Sequence, residues 1–474
     1  MQIKNIENMP ISSILKNNLY LNGIIVSDKL FEKLKSSQYK GYTTTTGIFM
    51  KLGATLSRQE FEKQKRDNTR DTLLSEIPEN LSYEDYLKIR EYTTVRLRKA
   101  SSIDYEHLKD STYFILDTDK SGNLHIIGQY SYANNIYPIK IEDCGIFKQN
   151  NYKDNDVVLQ AGGIRLRTSI CGSNCISGCK FCDFGKGPEY YKESFLNNDR
   201  KQNLINSIQQ SASTGNVHAF FITGGNPSLS DMHTWTEFVK SNIDAFKQVV
   251  PNGTVDVMLT PRGFDRYVYD DTTRYDEYKK YLEYLKSIGA TTISPNMELW
   301  DQAELDQFCS VNNTGLNIGA NKSEIGHDGY LDFIKAGIEV FGKYNVRTSL
   351  IAGLNSTESM KQAIRTLTPL GCCVVISPFK APTEKFNQFI PSEQDLIELS
   401  NYLKSETDAF LSSLPTDIAQ SYRTNISNSL NAHNGHNTAN LCCGQDLDII
   451  ELSALSLGKD RHIISNISVD ERIK

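Results

Sequence analysis

The stretch VHAFFITGGNPSLSDMHTWTEFVKSNIDAFKQVVPNGTVDVMLTPRG, Val217 to Gly263, contains a complete structural period. It opens with a short apolar run, Val217 to Thr223, that stops at a Gly-Gly pair. It continues through Asp231 to Val249, where apolar residues recur at helical spacing, and closes on a second short run, Thr254 to Thr260. Two brief apolar runs separated by an amphipathic helix read as parallel strands joined by a crossover, each strand buried on both faces. The same rhythm extends in both directions. Further strands are expected at Ile164 to Ile170, Ala290 to Asn296, Val346 to Ala352 and Cys372 to Ser377. Further helices are expected at Arg200 to Ser213, Tyr275 to Ile288, Tyr330 to Gly342, Thr357 to Leu370 and Ser392 to Ser412. Six such units predict an α/β fold, a parallel sheet curled into a partial or full (β/α)6-type barrel with function at the strand C-terminal ends.

Around this core, residues 1–158 read as a mixed α+β N-terminal domain, residues 159–396 as the barrel, and residues 397–474 as a C-terminal helix and short capping segment, polar and Asn-rich after Leu414. In the first domain Tyr83 to Arg98 has the pattern of a polar helix, and Thr112 to Ser131 that of two strands about a turn. The turn DTDKSGN, Asp117 to Asn123, copies half of a calcium loop. The twelfth position falls on Gly128, where that loop needs a bidentate Glu, so a hairpin is the better reading.

The 474 residues are 39% hydrophobic and 23% charged, a globular composition that excludes fibrous and low-complexity classes. With 51 Lys plus Arg against 57 Asp plus Glu, no basic field advertises nucleic acid. The first residues, MQIKNIENMPISSILKNNLYLNG, show neither a sustained apolar run nor a small-residue cleavage site, and no segment has the length of a spanning helix. A cytoplasmic protein without membrane or nucleic-acid partners is therefore expected.

The ten cysteines are clustered, which points to metal rather than to a disulfide scaffold. Directly after the first barrel strand comes CGSNCISGCKFC, Cys171 to Cys182, with Cys175, Cys179 and Cys182 in CxxxCxxC spacing and Phe181 before the last cysteine. Such spacing brings three thiolates from one loop to three irons of a cubane and leaves a fourth iron open to chelate a substrate. A zinc site drawing also on Cys171 is the alternative. The tail HNGHNTANLCCG adds His433, His436, Cys442 and Cys443 as candidates for a second metal site, with Cys144, Cys171 and Cys309 in the same pool; Cys372 and Cys373 read as core.

The cysteine loop, its aromatic residue and its place after strand one resemble the radical S-adenosylmethionine superfamily. The layout of motifs is most similar to the biotin synthase and lipoyl synthase branches, over roughly Gly162 to Leu396. The resemblance implies a 4Fe-4S cluster on Cys175, Cys179 and Cys182, with Phe181 beside it, and S-adenosylmethionine on the open iron. FITGGNP, with Thr223, Gly224, Gly225 and Asn226, is similar to the family's Gly-Gly-Glu-Pro segment at the cosubstrate's amino group. Asn226 replaces the usual Glu and loses its charge. SPNME, with Ser294, Asn296 and Glu298, resembles the ribose-binding segment, and its period-two spacing sets all three on one face if the extended chain persists past Pro295. Lys322 resembles the basic residue that pairs with the cosubstrate carboxylate, and Gly353 matches the adenine-binding region. That last match is loose: Ser349 replaces its first glycine, and its acid comes late, at Glu358. A tight turn, a polar strand end and a surface lysine are the plain alternatives for the Gly-Gly, SPNME and Lys322 matches. Arg262 and Lys380 are candidate catalytic or substrate-holding cations near the barrel mouth, against surface cations.

What the resemblance implies is one-electron cleavage of S-adenosylmethionine to a 5′-deoxyadenosyl radical that abstracts hydrogen from a small-molecule substrate, a sugar, amino acid or cofactor precursor. Rearrangement, elimination and oxidation all fit, so the lyase, mutase and oxidoreductase classes stay open. A low-potential donor such as flavodoxin or ferredoxin is the implied partner. A sulfur-inserting synthase with a sacrificial cluster and a noncatalytic iron-sulfur or zinc protein are the alternatives.

Overall fold

A computed structural model describes residues 5–6, 9–10, 19, 23–35, 43–44, 47–51, 58–59, 62–63, 92–95, 97–103, 108, 111–132, 135–146, 150–151, 157–160, 163–167, 179–181, 198–213, 217, 219–224, 232–264, 271–310, 321–379, 384–434 and 467–468. The chain forms two compact units, one of Met1–Asn150 with Asn437–Lys474, the other of Asn151–His436.

The second unit holds the β/α rhythm. Its parallel strands are β1 (Gly163–Arg167), β2 (Ala219–Thr223), β3 (Thr254–Met258), β4 (Thr292–Ser294), β5 (Val346–Ala352) and β6 (Cys372–Pro378), each paired with the next in chain order. Between and after them run α1 (Asn198–Ser213), α2 (Met232–Val249), α3 (Asp271–Ser287), α4 (Gln302–Cys309), α5 (Lys322–Phe341), α6 (Thr357–Leu370), α7 (Glu393–Ser412) and α8 (Thr416–Asn434). The α/β class with a parallel sheet is thus as expected. A strand that periodicity did not separate, Val157–Gln160, pairs antiparallel with β1.

Strand order equal to chain order makes every crossover step the same way, and right-handed crossovers then set the helices on one face. That face is apolar. Phe246 of α2 stacks on Phe220 of β2 with ring centroids 5.1 Å apart, and a Cβ on Gly337 of α5 would lie 2.9 Å from Ile293 Cδ1 and 3.1 Å from Val346 Cγ2. The alternate residues, on the other face, are equally buried, and beside apolar Phe221, Cys373 and Val375 they include the polar Asp256, Thr292, Ser294, Arg347, Ser349 and Ser377. They pair across strands. Thr292 Oγ1 and Ser294 Oγ donate to the Asp256 carboxylate at 2.8 and 2.7 Å, Arg347 Nη2 donates to Ser294 Oγ at 3.0 Å, and the Ser349 and Ser377 hydroxyls meet at 2.6 Å. Burial pushes the Asp256 carboxyl above its ordinary value, while Arg347 and the two hydroxyls oppose that rise.

Several boundaries differ from expectation for local reasons. α5 begins at Lys322, eight positions before the predicted Tyr330, because Asn321 caps it by accepting from Glu324 N at 3.0 Å; Gly326, at φ 68°, then kinks it. α4 was unforeseen, although Asp301 and Glu304 form the capping box that marks its start. α8 was hidden by its polarity. It is held at the turn before β5, where Tyr422 lies 5.5 Å from the Tyr344 ring and Asn425 Nδ2 donates to Lys343 O at 2.9 Å.

In the first unit, Tyr113–Thr118 and Leu124–Tyr132 form the expected antiparallel hairpin, continued by Asn135–Ile146. Asp119 organises its turn, accepting from the amides of Ser121 and Asn123 at 2.8 Å each. The helix expected over Tyr83 to Arg98 is corrected where it is described: Tyr92–Val95 and Leu97–Lys99 are strands. The β-branched run Thr93, Thr94, Val95 favours the pleated state over a helix.

Candidate functional site

The site is built around the exit from β4. The strand stops at Ser294, and instead of staying extended past Pro295 the chain turns, Asn296 N donating to Ser294 O at 2.9 Å. Four residues on, Glu298 has φ 70°, a left-handed conformation that costs a non-glycine residue about 1–3 kcal/mol. The neighbouring strand end holds it there. Glu298 N donates to Ser349 O at 2.8 Å and Ile351 N to Glu298 O at 2.9 Å. Asn355, buried in the loop after β5, donates to Glu298 O at 2.7 Å and accepts from Trp300 N at 2.7 Å.

This clamp aims the Glu298 carboxylate at two groups from distant parts of the chain. Its Oε2 lies 2.6 Å from Lys322 Nζ, which also donates to Asn296 O at 2.6 Å. The Cys179 thiol faces the same Oε2 at 3.8 Å. Lys322 is only 4% exposed. Burial by itself would lower its pKa, but Glu298, with Tyr330 and the nearby cysteines, outweighs burial and holds the ammonium well above its usual value. The Cys179 thiol is pushed up, first by its hydrogen bond to Cys309 and then by burial, with Lys322 opposing.

The cysteine loop is docked on the end of α4. Lys180 N donates to Phe308 O at 2.8 Å, and Lys180 Nζ reaches Gln307 O at 2.7 Å and Ser310 Oγ at 3.0 Å. Phe181 enters an apolar cluster with Leu299, Leu305, Phe308, Cys309, Leu354 and Phe379, and Cys179 packs against it. At the adjoining strand ends Met258 accepts from Thr223 Oγ1 at 3.6 Å and from Asn296 Nδ2 at 3.1 Å, which brings the β2 motif, ending in Thr223 and Gly224, beside the β4 motif.

Cys179, Phe181, Asn296, Glu298 and Lys322 therefore converge. Ser294 does not join them: its hydroxyl is engaged by Asp256 and Arg347 below. Gly353, at φ 96°, packs so closely that a Cβ would lie 2.0 Å from Phe389 O, which accounts for a glycine there. Arg262 differs from the expected cation at an open mouth. It has no exposed surface, stacks 4.5 Å over the Trp235 ring and donates to Met232 Sδ at 2.8 Å, an interior contact beneath α2. Cys175, Cys182, Gly225, Asn226 and Lys380 lie outside the described residues, as do Cys171, His436, Cys442 and Cys443. Among the described residues no group of three His, Cys, Asp or Glu side chains is arranged to hold a metal ion. Within the same residues no helix is long and apolar enough to cross a membrane. Sequence reasoning missed Met258, Cys309 as a neighbour of Cys179, and Asn355. Only the Asp301-Glu304 cap, which places Cys309 at a helix end, left a readable signal.

No family model matches the chain, and no curated protein does. Among solved structures it is similar to HydG, a maturase of the FeFe hydrogenase, at 13% identity and a TM-score of 0.35, over 52% of this chain and 51% of that one. It is also similar to the spore cortex-lytic enzyme SleL of Bacillus megaterium, at 11% identity and a TM-score of 0.27, over 46% and 56%. A third is the carboxyl transferase domain of Rhizobium etli pyruvate carboxylase, at 11% identity and a TM-score of 0.21, over 55% and 45%. The chain thus spans about half the length of these proteins, and likenesses this weak assign it to none of them.

Proposed function

We propose that the chain is a radical S-adenosylmethionine enzyme acting on a small molecule. The observation that carries this reading is the meeting of three separately predicted residues, Cys179, Glu298 and Lys322, around one carboxylate oxygen. The donor set suits the groups it would hold. Cys179, with Cys175 and Cys182, supplies thiolates for a 4Fe-4S cluster. A buried, charged Lys322 would pair with the cosubstrate carboxylate, and the Asn296 amide and Glu298 carboxylate would hold a ribose diol. The cluster, when bound, supplies one-electron cleavage of S-adenosylmethionine. This chain's residues orient the cosubstrate and exclude water, for which the apolar cluster around Phe181 is suited. In-order parallel strands with helices on one face support a partial barrel, whose polar inner face would take the substrate. The biotin synthase and lipoyl synthase resemblance rests on its motifs alone.

Anaerobic reconstitution tests the reading. The expected result is about four irons per chain, one cubane, and 5′-deoxyadenosine formation on reduction with S-adenosylmethionine, supplied with electrons by dithionite or flavodoxin. A count well above four marks a sacrificial second cluster. Unchanged metal content in Cys175→Ala, Cys179→Ala and Cys182→Ala would sink the reading.

A further inference from the structure

Cys309 has no part in the proposed chemistry, yet it sits in the apolar cluster against which Cys179 packs. The two come from segments far apart in sequence, the cysteine loop and the last residue of α4, and the main-chain bond from Lys180 N to Phe308 O at 2.8 Å pins those segments together one residue from each cysteine. Cys309 is wholly buried while Cys179 is half-buried. An accessible thiol backed by an enclosed one is the arrangement in which the first is attacked and the second resolves.

We propose that Cys179 and Cys309 form a reversible disulfide when the loop holds no metal, withdrawing Cys179 from ligation and shielding it until a dithiol reopens the pair. The oxidant is a low-molecular-weight disulfide such as oxidised glutathione. Cys179 attacks it through its thiolate, a minor and slowly reacting fraction because Cys309 and burial push the thiol up, and releases one thiol; Cys309 then displaces the second. Two protein thiols and one small disulfide become one protein disulfide and two small thiols, the protons passing to the released thiolates. The other adjacent sulfurs, Cys372 and Cys373, are both enclosed in β6, so neither is open to attack, and they stay reduced. The disulfide rests on this chain's geometry; its effect on metal loading rests also on reading Cys179 as an iron ligand.

The test uses metal-free, full-length protein, incubated anaerobically with oxidised glutathione, alkylated, digested and mapped by mass spectrometry. The expected product is a cross-linked peptide pair joining Cys179 to Cys309. Iron uptake without reductant should fall about ten-fold, return after dithiothreitol, and survive the oxidant in Cys309→Ser, or in Cys309→Ala should the serine variant fail to fold. Cys179 recovered only as a glutathione adduct, or linked to Cys175 or Cys182, overturns the proposal. So does uptake by the Cys309 variants that is lost to oxidant as in the parent protein. A Cys179–Cys309 cross-link in a protein whose reduced form takes up no iron upholds the disulfide and discards the cluster.

Discussion

The two faces of the parallel sheet are buried alike and built oppositely. Against the helices stand Phe220, Ile222, Val255, Val257, Ile293 and Val346, with Thr348 among them; facing away stand Asp256, Thr292, Ser294, Arg347 and Ser349, with Phe221, Cys373 and Val375 between them. A face needed only for stability has no reason to bury a carboxylate and a guanidinium, since desolvating such groups offsets most of what pairing them returns. The contrast teaches that the buried charge of the sheet is gathered on one face, the face away from the helices. That polar column leads to Asn296 and Glu298, where the candidate site begins.

The largest expected effects test this contrast directly. Phe220→Ala leaves a cavity and should cost about 3–5 kcal/mol by urea denaturation. Arg347→Met should cost a similar ~3–5 kcal/mol, because it strands the Asp256 charge, and Asp256→Leu in the same chain should recover most of that loss. A double variant no better than Arg347→Met would break the argument that the polar face is costly to keep.

Next comes the clamp. Asn355→Ala removes the bonds to Glu298 O and Trp300 N and should lower stability by about 1–3 kcal/mol. It should also weaken S-adenosylmethionine binding about ten-fold more than a destabilising helix-side variant such as Ile222→Val. Isothermal titration of the reconstituted protein reads the difference; equal weakening in both would deny Asn355 a positioning role.

A smaller effect concerns pH. Because burial raises the folded-state pKa of Asp256 above its unfolded value near 3.8, the native state binds the proton more tightly. The resulting contribution is fully present at pH below 3.8 and is lost as pH rises through the raised folded value. The stability of the parent protein relative to Asp256→Asn should therefore fall as pH is raised from 3.5 to 7, as urea midpoints would show. A flat difference means the two states share one pKa. Smallest of all, breaking the Lys361–Glu398 pair between α6 and α7 with Lys361→Ala should leave the urea midpoint unchanged, since solvent screens that pair.

Much of the architecture was legible in advance. β5 matches its expected span end to end, and β2, β3 and β6 match theirs within two residues, because short apolar runs bounded by Gly, Pro and polar turns have few other ways to be buried. The early start of α5 was not legible. The Gly326 kink breaks the apolar period, so the first turn with Lys322 read as loop. Nor did periodicity foresee that Tyr92–Val95 would pair with Gly47–Lys51, for strand pairing is a nonlocal event.

The same division holds at the site. Resemblance to short family motifs sufficed to single out Cys179, Phe181, Asn296, Glu298 and Lys322, since a motif is a local property of the chain. That Glu298 takes a left-handed turn, that Lys322 is its buried counter-ion, that Arg262 lies sealed against Trp235 and that Cys309 adjoins Cys179 emerged only on folding. Each of these depends on which distant segments meet. Hydrogen bonds such as Asn355 to Glu298 O and Lys180 N to Phe308 O make that choice, and they join positions 57 and 128 residues apart, beyond the reach of any local pattern.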